Sequence, residues 1–180
     1  MNPNDLLLVG AEVSVAFAGF SGLIATYQFN DKANVKRGDV VGLTMIVQFS
    51  LQAALFCVIP LLLEIFQTEV AKIWTVCSLL AVVSMSYSGY SIDRNIRGVV
   101  KKRSVRVFFG LLQGINGLII LGLILNSMDI VFHREAGPFI TAIIWSLGLV
   151  GYMFGRLLLR PLWSLVRLQE TATRTKVTSV

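Results

Sequence analysis

The chain has 180 residues, of which 55% are hydrophobic and 14% are charged, and its formal net charge is +6. Its mean hydropathy of +0.73, with the charges confined to connections and ends, indicates an integral membrane protein. The polar stretches between the apolar segments are each too short to bury a core of their own. This excludes a separate soluble enzymatic or ligand-binding domain.

Five apolar segments are long enough to cross a bilayer, because a hydrocarbon core about 30 Å thick needs roughly 20 residues in a helix. These spans are predicted at 5–28, 40–65, 71–91, 107–132 and 138–159. Pro161 is predicted to end the last span, followed by a short interfacial helix at 162–168 and a flexible cytoplasmic tail at 169–180. The predicted fold is therefore an all-α integral membrane protein, a five-transmembrane-helix bundle in a single membrane domain, 1–168.

The basic residues predict the orientation, since short loops rich in Lys and Arg stay in the cytoplasm. All of the 16 Lys and Arg residues except Lys72 and Arg134 lie on the first connection, the third connection or the C-terminal tail. This pattern places the N-terminus outside and the C-terminus in the cytoplasm. The cations near the membrane ends are expected to meet anionic lipid headgroups or a protein partner, and no nucleic acid is expected. The candidates are Lys101, Lys102, Arg103, Arg106, Arg156 and Arg160.

The first span carries Glu12, the one carboxylate well inside a predicted span. An ionisable group in a membrane costs several kcal/mol unless it is paired, hydrated or protonated, so Glu12 is the leading functional candidate, and a purely structural role is the alternative. Small residues share its side of the helix, and this side is predicted to be buried while a bulky arc that includes Phe17 and Ile24 faces lipid. A ladder of small residues spaced by four favours close helix packing, within one chain or between two copies: Gly10, Ser14, Ala18 and Gly22.

Polar stripes follow the second and fourth spans. The second span carries Thr44, Gln48 and Gln52, and the fourth carries Gln113, Asn116 and Ser127. Amides both donate and accept hydrogen bonds, so the two stripes are predicted to bind each other, and lining a path for water or ions is the alternative.

The third and fifth spans carry small residues that predict packing seams. The fifth has Gly148, Gly151 and Gly155, and the third has Cys77, Ala81, Ser84, Ser88 and Ser91. Cys57 and Cys77 are predicted at the same depth on consecutive helices, where two small buried thiols are the favoured interpretation over a functional pair.

No catalytic motif, metal constellation or cofactor site is present in the sequence pattern, so no enzyme and no cofactor are expected. The predicted function is a homo-oligomeric membrane channel or small permease for an ion, a proton or a small polar solute. The alternative is a non-transporting scaffold, accessory subunit, or sensor or effector that binds a partner through its basic cytoplasmic loops. The absence of an Asn-x-Ser/Thr acceptor favours a bacterial inner (plasma) membrane.

Overall fold

A computed structural model describes residues 3–29, 37–97, 103–131 and 133–178. Within these ranges the chain forms five α-helices and no strand. They are α1 (Pro3–Phe29), α2 (Arg37–Ile65), α3 (Val70–Arg97), α4 (Arg103–Ser127) and α5 (Gly137–Thr178). Each helix contains a segment long and apolar enough to cross a membrane, which indicates an integral membrane protein. The prediction of an all-helical chain with five such segments is confirmed.

Three predicted ends are wrong. The third helix extends to Arg97, beyond the predicted end at 91. The fourth helix ends at Ser127 and not at Phe132, because Asp129 adopts a φ of 61°, in the left-handed region that a right-handed helix cannot include. The fifth helix continues through Pro161 to Thr178, so no separate interfacial helix forms at 162–168 and the segment 169–178 belongs to α5. A proline removes one backbone hydrogen bond, and the remaining bonds of a long helix tolerate that loss.

The last helix is the centre of the bundle. Among the described residues α5 contacts each of the other four helices, α1 packs against α2 and α5, and α4 packs against α3 and α5. In the same part of the chain α1 touches neither α3 nor α4, and α2 does not touch α4. The bundle is therefore open between α1 and α4.

Two clusters of buried side chains hold the helices together. One lies at the end of the bundle where α2 ends and α3 begins, and there the ring of Phe139 packs against Phe56 at 5.9 Å and Trp74 at 6.1 Å between centroids. The other lies near the start of α2, where Phe17 of α1 meets Phe154 of α5 edge to face at 5.5 Å. The two clusters fix α1, α2 and the first half of α5 relative to one another.

Asn126 joins the last turn of α4 to two other parts of the chain. Its side chain is fully buried, and its Nδ2 donates to Ser78 Oγ and to the Glu135 carbonyl, both at 3.1 Å. Its Oδ1 accepts from the Glu135 amide, also at 3.1 Å. The amide thus ties α4 to α3 and to the connection that leads into α5. The sequence analysis did not single out Asn126. The one feature of the sequence that could have indicated its role is an amide side chain at the end of an apolar run.

Candidate functional site

A cavity of about 770 Å³ lies between α3, α4 and α5, with Phe49 of α2 in its wall. It occupies the half of the bundle where α3 ends and α4 begins, since its lining runs over residues 85–93 of α3 and 106–116 of α4. The span of α4 is the least buried of the five. The helix α4 packs closely against α3 and more loosely against α5. The looser packing leaves the cavity between these three helices.

The two adjacent α3 residues Ser88 and Gly89 organise the polar side of the cavity. Ser88 Oγ donates to Gln52 Oε1 of α2 at 2.9 Å, and Gln113 Nε2 of α4 donates to the Gly89 carbonyl at 3.0 Å. The predicted pairing of the α2 and α4 stripes with each other is therefore wrong, because those helices do not touch within the described residues. Each stripe binds α3 instead, which stands between them. The sequence pattern predicts Ser88 only for a packing seam and does not predict its hydrogen bond to Gln52.

The remaining stripe residues separate into two groups. Asn116 lines the cavity beside Gln113. Thr44 donates to the Val40 carbonyl of its own helix at 2.9 Å, and Ser127 donates to Ile124 of its own helix at 2.8 Å. Gln48 is exposed and lines, with Thr44, a smaller space of about 130 Å³ on the other side of α3. Ser127, Thr44 and Gln48 thus take no part in the larger cavity.

Two charged side chains lie where the cavity reaches the helix ends, Asp93 of α3 and Arg106 of α4. Asp93 is already engaged in another interaction. Arg106 is exposed and forms no ion pair with any other residue that the structure describes. Among the described residues that line the cavity, Arg106 is thus the one cation and Asp93 the one anion.

The other predicted cationic contacts lie elsewhere. Arg156 is exposed on α5 and does not line the cavity. Lys101 and Lys102 lie outside the described residues, as do the side chains of Arg103 and Arg160.

Two buried nitrogen atoms beside the cavity have no hydrogen-bond acceptor among the described residues, Gln52 Nε2 and Trp145 Nε1. Trp145 lines the cavity, and Gln52 is bonded to Ser88, which also lines it. A buried N–H without an acceptor costs about 1–3 kcal/mol, so both donors favour a water or ligand acceptor nearby. The sequence pattern had no signal for Trp145, because it lies in an apolar run.

Glu12 lies on the exposed face of α1, opposite the buried residues Gly10, Ser14 and Ser21. A single chain buries only part of the predicted small arc, and whether another copy covers the rest stays a prediction. Glu12 shares its exposed face with Ala16 and Gly19, and two residues of the predicted lipid-facing arc pack instead against the second buried cluster, Phe17 and Ile24. Because α1 touches neither α3 nor α4 in the described structure, Glu12 and the cavity do not belong to one route within a single chain.

The predicted small-residue ladders are only partly packed. In α1, Gly10 meets Cys57 and Ser14 is buried and donates to the Gly10 carbonyl at 2.6 Å, whereas Ala18 is half-buried and Gly22 is exposed. In α5, Gly151 faces Phe17, while nothing lies within 4 Å of a Cβ placed at Gly148 or Gly155. Both cysteines are free, and both belong to the buried cluster around Phe139.

The fold and the cavity define a class: a helical protein with five segments apolar enough to cross a membrane and a partly polar cavity of about 770 Å³ among the described residues of its bundle. Comparisons with protein-family models, with curated proteins and with solved structures find no match.

Proposed function

We propose that this protein is a homo-oligomeric permease that carries a small solute through the cavity between α3, α4 and α5. The observation that carries the proposal is a cavity of about 770 Å³ at membrane depth whose wall holds Ser88, Gln113 and Asn116. Polar side chains inside a membrane bundle commonly mark solute or ion pathways, since each is costly in contact with lipid.

The size of the cavity favours a solute over a bare ion. Small-molecule sites measure about 300–1,000 Å³, whereas a water molecule occupies about 30 Å³ of liquid. A cavity of about 770 Å³ falls in the first range. Ion channels hold ions in tight rings of carbonyl or charged groups, which a space this wide between three helices does not resemble.

The basic residues support an orientation with the N-terminus outside and the C-terminus in the cytoplasm of a bacterial inner membrane. The cavity then opens toward the cytoplasmic side, because it lies at the end where α3 ends and α4 begins. The cavity of one chain reaches only the cytoplasmic half of the bundle. The outer half of the route therefore requires a change in helix packing or a contribution from another copy.

The exposed face of α1 supports the homo-oligomer. A carboxylate facing lipid costs several kcal/mol, and contact with a second copy or with trapped water removes that cost. Ala16 and Gly19 lie one and two turns from Glu12 on the same exposed face and allow another helix to come close.

Solute flux into liposomes tests the proposal. The probes are potassium acetate and glycerol, followed by osmotic swelling, and protons, followed by an internal pH dye. Gly110 lines the cavity and a Cβ there meets open space, so Gly110→Leu narrows the cavity without a backbone clash. Gly114→Leu is the matched control, because Gly114 is exposed, does not line the cavity and also faces open space.

Flux of one probe that falls in Gly110→Leu and persists in Gly114→Leu supports the permease. Equal flux in both variants contradicts a route through this cavity. Flux no greater than in empty liposomes for every probe contradicts transport of these solutes and favours the second candidate.

The second candidate is a scaffold or accessory subunit, and one observation favours it: Gln52 and Gln113 already hold helices together through Ser88 and Gly89. In this case Gln113→Leu lowers the thermal stability of the bundle, and no cavity variant changes any flux.

A further inference from the structure

We infer that the cavity binds an anionic amphiphile, with a carboxylate or phosphate held by Arg106 and an apolar body lying against the aromatic and methionine side chains of its wall. The inference rests on the proposed role of this cavity as a solute site. It names the class of solute, which the polar residues alone leave open.

The wall of the cavity is mostly apolar. Its apolar members come from all four helices that surround it: Phe49, Met85, Phe109, Leu149 and Met153. Methionine is unbranched and polarizable, so Met85 and Met153 adapt to apolar ligands of different shape. A strictly polar solute would leave these side chains in contact with water, whereas an acyl or aromatic body covers them and gains the free energy of apolar burial.

The charge at the end of the cavity selects an anion. Arg106 is exposed, lines the cavity and forms no ion pair with another described residue, whereas Asp93 on the same wall has an interaction of its own. A guanidinium binds a carboxylate or phosphate through two parallel hydrogen bonds, which is stronger and more directional than a contact with a neutral group. A cationic head at this end would meet Arg106 as a like charge.

The position of the charge matches the shape of an amphiphile. Arg106 lies in the first turn of α4, whereas Asn116 and Trp145 lie deeper along the same cavity. The head therefore stays near the membrane surface, where hydration is available, and the body reaches inward. Trp145 also supplies a buried indole N–H without an acceptor, which a polar atom on the body can satisfy.

Binding is measured by quenching of tryptophan fluorescence in phosphatidylcholine nanodiscs. The probes are dodecanoate, dodecanol and dodecyltrimethylammonium, each brominated at the terminal carbon, so that the twelve-carbon body is the same and the head differs. Trp145 lines the cavity, and its share of the signal is the difference between wild type and Trp145→Phe. Trp74 packs on Phe139 in the other half of the bundle and serves as an internal background.

Saturable quenching of Trp145 by dodecanoate, about tenfold tighter than by either of the other two probes, is expected from one charge-assisted contact. Arg106→Gln removes this preference, and Arg156→Gln retains it, because Arg156 is also exposed but does not line the cavity. Gly110→Leu, which narrows the cavity, is expected to weaken the binding of all three probes. Because the Arg106 side chain is exposed, Arg106→Gln is expected to fold. It therefore tests the inference even if Gly110→Leu fails to fold.

Three results overturn the inference: equal binding of dodecanoate and dodecanol, unchanged dodecanoate binding in Arg106→Gln, or no saturable quenching by any probe. Nanodiscs with phosphatidylglycerol, compared with phosphatidylcholine nanodiscs at the same high salt, distinguish the source of the anion. Weaker dodecanoate binding there assigns the site to a lipid headgroup, and unchanged binding assigns it to a free amphiphile.

These outcomes are separate from the flux result. Dodecanoate binding without flux of any probe contradicts transport and supports the anionic site. Flux that is unchanged in Arg106→Gln supports transport and contradicts the preference for an anion.

Discussion

The backbone of Gly10 lies directly against the thiol of Cys57: a Cβ at Gly10 would be 2.9 Å from Cys57 Sγ. Both residues are buried, with Gly10 on α1 and Cys57 on α2. This contact sets how closely the first two helices approach, since only a residue without a side chain fits there.

Gly10→Ala is expected to destabilise the protein by about 1–3 kcal/mol, because an added methyl group in a packed core forces its neighbours apart. Thermal unfolding in detergent measures the effect. Gly114→Ala is the control, since a Cβ there meets nothing within 4 Å and alanine favours a helix over glycine. Cys57→Ala in the Gly10→Ala background should recover part of the loss, and a loss unchanged by Cys57→Ala would contradict the contact.

Asn126→Leu is expected to destabilise the protein by about 2–4 kcal/mol. The change removes three hydrogen bonds and leaves the amide and carbonyl groups of Glu135 without their partner. Ser127→Ala is the matched control, because the Ser127 hydroxyl donates only to its own helix. The melting temperatures of the two variants provide the comparison, and an equal shift in both would contradict the role assigned to Asn126.

Gly89→Ala is expected to loosen α4 from α3. Its Cβ would lie 3.2 Å from Gln113 Nε2 and 3.4 Å from Asn116 Nδ2, so the amide of Gln113 must move away from the Gly89 carbonyl. Hydrogen exchange along α4 should accelerate in this variant. Gly110→Ala, at an open position, should leave the exchange rates unchanged, and equal acceleration in both variants would refute the specific role of Gly89.

Gly19→Leu is expected to reduce the proposed homo-oligomer without unfolding the protomer. Gly19 lies on the exposed face with Glu12, and a Cβ added there meets nothing within 4 Å in its own chain, so a leucine is expected to hinder a second copy. Native mass spectrometry measures the oligomer, and Gly114→Leu on α4 is the control. An oligomer that persists in Gly19→Leu would place the interface elsewhere.

The orientation is tested with cysteines introduced into a variant that lacks Cys57 and Cys77. Thr68→Cys and His133→Cys, in the second and fourth connections, should react with an impermeant maleimide added outside intact cells. Thr173→Cys, near the end of α5, should react only after the membrane is opened. The reverse pattern of labelling would show that the charge bias misplaces the termini.

The number of helices and the approximate position of each follow from the sequence, because a run of about 20 apolar residues is long enough to cross a bilayer whatever surrounds it. The sequence pattern places the end of α4 five residues too late, because the left-handed conformation of Asp129 and the bonds from Asn126 to Glu135 form only in the folded chain. Apolar composition alone does not mark that turn.

The sequence pattern does not predict which faces of the helices pack against each other. The periodicity of α1 correctly placed Ser14 among small residues, yet it could not tell that Phe17 would pack on Phe154 while Glu12 faced outward. The stripes of Gln52 and Gln113 were recognised as polar, but their partner was α3 and not each other.

The amino-acid order alone thus established a membrane protein of five apolar helices with polar groups at known depths. Only the tertiary structure placed α5 at the centre, joined Gln52 and Gln113 through Ser88 and Gly89, and left the cavity beside Arg106. Hydrophobic length and charge are properties of consecutive residues. The rotation of each helix and its neighbours result from packing among residues far apart in the chain, summed over the whole bundle.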